Sequence, residues 1–78
     1  MNAPHDARPV EISDDVISLG QFLKLAGLAE SGAEARELVT EGEVRVNGEV
    51  DMRRGRQLHR GDVVSVDHPQ GTESATVA

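Results

Sequence analysis

A chain of 78 residues has too much surface for its volume to bury more than one core, so it makes one small domain. It has no cysteine and one aromatic residue, Phe22, which excludes a disulfide frame, a cysteine-based zinc site and a base-stacking platform of several rings. The net charge of −6 opposes nucleic acid in bulk, yet residues 45 to 60 hold Arg45, Arg53, Arg54, Arg56 and Arg60 against only Glu49 and Asp51.

Residues 1 to 9 are polar, contain two prolines and show no apolar period, which predicts a flexible tail. They lack the apolar stretch of a secretory signal, and no run approaches the roughly 20 apolar residues of a membrane span, so a cytoplasmic protein is expected. Val10-Glu11-Ile12 alternates briefly, as a short edge strand would.

Ser18 opens a clearer element. Its hydroxyl can cap the amide three residues on while Gln21 reaches back, and Ile17 and Phe22 occupy the two positions of a hydrophobic staple. Leu19, Phe22, Leu23 and Ala26 recur at helical spacing up to Gly27, which predicts a helix over about 19 to 26. Ser31 and Glu34 form a second capping box, Ala35, Leu38 and Val39 form the buried stripe, and Gly42 is the exit, which predicts a helix over about 32 to 41. So short a connection makes the two helices pack as a hairpin.

From Gly42 the period changes to alternation. Val44 and Val46 lead into Asn47-Gly48, the dipeptide best suited to the positive φ angles of a tight turn. A two-residue loop pairs Val46 with Glu49 and leaves Val50 opposite Arg45. A bulge at Gly48 sets Val44 opposite Val50, and apolar pairing favours that register. Leu58 marks a further short strand, Arg60-Gly61-Asp62 a turn, and Val63 to Val66 another strand. The single domain is expected over residues 10 to 67. After it, residues 68 to 78 make either a marginal strand over Ala75 to Val77 or a tail.

Taken in order, Leu19, Leu23, Gly27-Leu28, Ser31, Ala35, Leu38, Gly42, Val44 to Gly48 and Gly61-Asp62 make the segment from Ile17 to Val66 resemble the RNA-binding domain named after ribosomal small-subunit protein four. Leu23-Lys24-Leu25, Ser31-Gly32-Ala33 and the short chain are similar to its stand-alone bacterial YbcJ-type branch. The resemblance implies an α+β fold, the alpha-L RNA-binding motif, in which a two-helix hairpin packs on a small, mainly antiparallel β-sheet. It also implies RNA gripped by the second helix and the neighbouring hairpin. The chain departs from the family in two places. Many relatives carry arginine where this chain has Gly32, a loss that Arg36, one turn on, can offset. A loop that often reads Lys-Pro-Ser is here Arg53-Arg54-Gly55-Arg56, which is more basic and more flexible.

Guanidinium groups donate planar, bidentate hydrogen bonds to phosphate, so the candidate RNA-binding residues are Arg36, Arg45, Arg53, Arg54, Arg56 and Arg60. For Lys24 on the polar side of the first helix, plain solvation is the simpler account. His5, His59 and His68 lack metal-ligand spacing, and no nucleophile, acid pair or phosphate loop is in place. No catalysis, metal, cofactor, small-molecule substrate or membrane is therefore expected. The expected function is recognition of structured RNA, of ribosomal or transfer type, by shape and arginine–phosphate contacts. It requires the arginines to share one face, clear of the carboxylates. The alternative is a protein-interaction adaptor on the same fold, using the acidic surface or the hairpin edge to dock a protein such as a ribosome-associated factor.

Overall fold

Both serine caps form as their sequences require: the Ser18 hydroxyl accepts the N–H of Gln21 at 3.3 Å and the Ser31 hydroxyl that of Glu34 at 3.1 Å. In the computed structural model, which describes residues 7–78, helix α1 spans Leu19–Leu25 and helix α2 spans Gly32–Thr40. The reciprocal half of each capping box is different. Gln21 Oε1 accepts the Ser18 hydroxyl, and Glu34 Oε1 takes the N–H of Glu30 at 2.6 Å rather than that of Ser31. Each helix ends in the same way, at a glycine with φ +75, beyond which Leu28 N–H bonds to Leu23 O and Glu43 N–H to Leu38 O.

Seven short strands are found among the described residues: β1 (Arg8–Val10), β2 (Val16–Ser18), β3 (Val44–Val46), β4 (Glu49–Val50), β5 (Gln57–His59), β6 (Val63–His68) and β7 (Gly71–Val77). Five of them form a sheet in the order β1-β7-β6-β3-β4, antiparallel except for the β1–β7 pair, while β2 and β5 form a separate antiparallel pair. The fold is α+β with a mainly antiparallel sheet. Alternation along the strands sends Val44, Val46, Val64, Val66, Ala75 and Val77 to one face, where they pack with Leu19, Phe22 and Leu23 of α1 and Ala35 and Val39 of α2 in one core. Each fully buried side chain of this kind contributes about 2 kcal/mol by leaving water.

Several expectations change. The N-terminal strand is Arg8–Val10 rather than Val10 to Ile12, because Ile12 turns inward, 8% exposed, while its N–H bonds to Ala78 O. Of the predicted tail over residues 1 to 9, residues 1–6 lie outside the described residues, while Arg8 and Pro9 are not tail but strand, paired with Ala75 and Thr76 of β7. Of the two options for the C-terminus, the strand forms, and it is longer than Ala75 to Val77: β7 pairs with β6 from Gly71 to Thr76 and with β1 over Ala75 to Val77. Strand β2 was not anticipated; Ile17 pairs with Leu58 of β5 as well as leading into α1. Finally, the hairpin takes the two-residue turn, with Arg45 opposite Val50 and Val46 opposite Glu49. Asn47 at φ 53 and Gly48 at φ 88 make a two-residue turn with both φ angles positive. The turn is held from outside: Asn47 Nδ2 donates to Asp62 Oδ1 at 3.1 Å and Asn47 Oδ1 accepts Val63 N–H at 2.9 Å. Those bonds outweigh the apolar pair that a bulge would have made, and Val50 is left 51% exposed.

Candidate functional site

The hairpin register continues to Asp51, whose N–H donates to Val44 O at 3.1 Å, so the Asp51 side chain shares the core face with Val44. A carboxylate only 6% exposed needs charged and hydrogen-bonding partners, and Asp51 has both. It accepts Arg53 N–H at 2.9 Å, Arg53 Nε at 3.1 Å, Arg53 Nη2 at 2.9 Å and Arg56 Nη1 at 2.7 Å. The Arg53 side chain is the main cause that holds the Asp51 carboxyl well below the usual carboxylate range; burial opposes it and Arg56 assists. Arg53 is raised in return by its bond to Asp51.

The same loop is tied to the start of α1. First-turn amides have no partner within their own helix, and here Leu19 N–H donates to Arg56 O at 2.8 Å and Gly20 N–H to Arg54 O at 3.0 Å. The segment expected to be flexible is thus held from beneath by a carboxylate and from the side by a helix.

Between this loop, α1 and α2 lies an open groove of about 410 Å³, lined by Lys24 of α1, Ala33 and Arg36 of α2, and Arg54 and Gly55 of the loop, among others. Of the described residues, three cations border it and no carboxylate does. Among the described residues no carboxylate lies within ion-pair distance of Lys24, Arg36 or Arg54. Helix α2 points its N-terminal end into the same space through Gly32 and Ala33, adding the positive pole of its dipole. Gly32 and Arg36, one turn apart on α2, border the same groove.

The six candidate arginines do not share a face, and four of them are paired with carboxylates, so the condition set by the sequence reading fails for the group and is met only by Arg36 and Arg54. Arg36 and Arg54 line the groove. Arg53 and Arg56 sit at its loop but turn donors to Asp51, with Arg53 still 73% exposed and Arg56 only 32%. Arg45 alternates with buried Val44 and Val46, so it stands on the open face of the sheet, where it meets Asp67 at 3.1 Å. Arg60 lies in the β5–β6 turn, bonded to Ile12 O at 3.0 Å and facing Asp15 at 3.5 Å. Lys24, for which plain solvation is the simpler expectation from sequence, joins Arg36 and Arg54 at the groove. Its signal was present in the spacing: Lys24 lies on the polar face of α1, one turn beyond Gly20 and Gln21, which border the same groove. Nearby, burial pushes the Asp62 carboxyl up, but the His59 N–H and the Asn47 amide outweigh it and leave the group below its ordinary value.

The family model described as the S4 domain matches residues 10–73. The chain is 51% identical over 61 residues to the "Probable ribosome maturation protein RlbA" of Bacillus subtilis, covering 78% of this chain and 86% of that protein. It is 41% identical over 49 residues to the "Putative RNA-binding protein YbcJ" of Escherichia coli, covering 63% of this chain and 70% of that protein. A tyrosine–tRNA ligase of Ralstonia nicotianae is 34% identical over 61 residues, 78% of this chain but 16% of the ligase.

Proposed function

This chain belongs to the S4 domain family, similar to its stand-alone members RlbA and YbcJ, and on that premise we propose that it is a non-catalytic module that binds structured RNA, of ribosomal or transfer type, through phosphate contacts. The observation that carries this reading is the groove bordered by Lys24, Arg36 and Arg54 with no carboxylate on its rim, on a chain of net charge −6. Elsewhere the protein repels polyanions; here it attracts them. The helix pair and adjacent loop play the part of the alpha-L RNA-binding motif. Arg53 adds its exposed outer edge, Arg56 supports the loop, and Arg45 and Arg60 are at most peripheral contacts. Duplex RNA hides base edges in a deep groove, so a compact basic cleft without aromatic rings suits backbone and shape recognition. The names of the relatives, which concern ribosome maturation, RNA binding and transfer-RNA charging, agree with it.

Titration against ribosomal-RNA fragments and transfer RNA over a range of salt concentrations tests this reading. The affinity should fall linearly in log–log form, by about 0.7 to 0.9 in slope per neutralised phosphate. No binding at low ionic strength would end the proposal.

One observation favours a second reading, a protein-interaction adaptor. Val50 and Met52, 51% and 61% exposed, lie at the outer end of the sheet by β4, and an uncovered strand edge with apolar side chains can dock another chain. A pull-down with and without ribonuclease separates the two readings, since partners of an adaptor survive the nuclease.

A further inference from the structure

We propose that the basic loop divides its arginines by role: Arg53 and Arg56 hold the loop on buried Asp51, while Arg54, seated against Gly20, is the side chain that meets phosphate. This rests on the RNA-binding reading and goes beyond it, because it separates neighbours that the sequence presents as equivalent.

The geometry differs residue by residue. Arg56 places Nη1 on Asp51 at 2.7 Å and is two-thirds buried, so it is part of the scaffold. Arg53 turns Nε and Nη2 inward to the same carboxylate in a bidentate pair, which fixes its plane and uses the edge best shaped for phosphate. Arg54 makes no side-chain hydrogen bond or ion pair among the described residues and borders the groove with Lys24 and Arg36.

Its stem is nonetheless held in place. A Cβ at Gly20 would lie 2.7 Å from Arg54 Cγ, closer than such atoms approach, and in tight contact at 3.3 Å from Cδ, so the arginine stem crosses α1 in the space where a side chain would stand. Cγ is two bonds from Cα, so it moves only if χ1 changes or the backbone shifts, not by rotation of the tip. Gly20 also donates its N–H to Arg54 O at 3.0 Å, so one residue fixes both the backbone and the stem. Glycine is a poor helix former, and its presence in the first turn of α1 has a reason in this crossing. Gly20 and Asp51 are positioning residues: they set where the Arg54 guanidinium stands without touching the ligand.

The test uses the full chain, transfer RNA as probe, and two readouts, thermal melting and affinity across a salt series. Arg54→Ala should leave melting unchanged, weaken binding several-fold and flatten the salt slope by about 0.7 to 0.9, the loss of one phosphate. Gly20→Ala should melt below the parent temperature, since the new Cβ forces the Arg54 stem or the loop to shift at a cost greater than the helix preference of alanine returns, and should lose comparable affinity. The double variant should bind like Arg54→Ala alone, because both changes remove the same contact. Arg53→Ala should lower the melting temperature and cost less affinity than Arg54→Ala. If the losses from Gly20→Ala and Arg54→Ala simply add, or if Arg53→Ala costs more affinity than Arg54→Ala with no change in melting, the assignment of roles is overturned. Parent protein that binds no RNA overturns the RNA-binding reading itself, a different result from parent that binds and an Arg54→Ala that binds equally well.

Discussion

The groove and the open face of the sheet both carry arginine, and only one of them is positively charged in effect. On the sheet face Arg45 is met by Asp67 at 3.1 Å, and in the β5–β6 turn Arg60 is met by Asp15 at 3.5 Å. Around the groove, Lys24, Arg36 and Arg54 have no acid on the rim. In an acidic protein, then, what creates an anion site is the exclusion of carboxylates from one small region rather than the number of arginines. Asp51 contributes to this exclusion in an unexpected way: it is a carboxylate beside the loop, but buried and already paired, so it organises the arginines without presenting charge to the groove.

The contrast breaks most completely if the groove loses its cations. Replacing Lys24, Arg36 and Arg54 together with alanine should weaken binding to structured RNA by roughly 100-fold at moderate salt and flatten the salt dependence by about two to three phosphate equivalents. A melting curve should stay near that of the parent, since none of the three side chains is in the core. Fluorescence titration at three or more salt concentrations measures both quantities, and an unchanged slope would place the site elsewhere.

Next in size is the loss of the buried anchor. Asp51→Ala removes charge-assisted hydrogen bonds to Arg53 and Arg56 and should cost about 2 kcal/mol, with urea unfolding as the measure. In a domain of this size that is roughly 10 °C in melting temperature. Its pH dependence has a definite sign. The folded carboxyl lies below its ordinary value of 3.8, so the stability it adds is fully present above pH 3.8 and is lost as pH falls toward the lower folded value. The gap between parent and Asp51→Asn should therefore be constant from neutral pH down to about 5 and close in stronger acid. A gap that closes near neutrality would rule out this ion triad as its source.

A smaller effect is expected at the turn. Asn47→Ala gives up the bonds to Asp62 and Val63 and puts alanine at a positive φ, so it should cost about 1 to 2 kcal/mol. RNA affinity measured well below the melting temperature should not change, because the turn lies outside the groove.

The smallest effect sharpens the contrast from the other side. Arg45→Ala and Arg60→Ala each break an exposed ion pair worth about 0.5 kcal/mol or less and should alter RNA affinity no more than two- to three-fold. If either variant matches the loss at Arg54, the sheet face joins the interface and the distinction drawn here fails.

Much of the frame was legible in the residues because its signals are local. A serine cap, a stripe at helical spacing and a closing glycine all act within one or two turns of chain, and both helices lie within a residue or so of their expected ends. The turn at Asn47-Gly48 was equally local, but its register was not. The rule that apolar residues pair pointed to a bulge, whereas bonds from Asn47 to Asp62 and Val63, 15 and 16 residues away, selected the plain turn. Strand β7 rests on a similar reason: Gly71-Thr72-Glu73-Ser74 has little strand character of its own and depends on pairing with β6, while Ala75 to Val77 gain a second partner in β1.

The site divides along the same line. That arginines gather at residues 53 to 56 is a matter of composition and order, which the chain states by itself. Which of them is spent on a carboxylate depends on the side of the strand that Asp51 occupies, and a shift of one residue in the hairpin would have reversed it. Lys24, Arg36 and Arg54 come from three separate segments, so their meeting around one groove was decided only when the helices packed on the sheet. Local hydrogen bonds and periodicity are written in neighbouring residues; the pairing of distant charges depends on which faces the folded chain brings together.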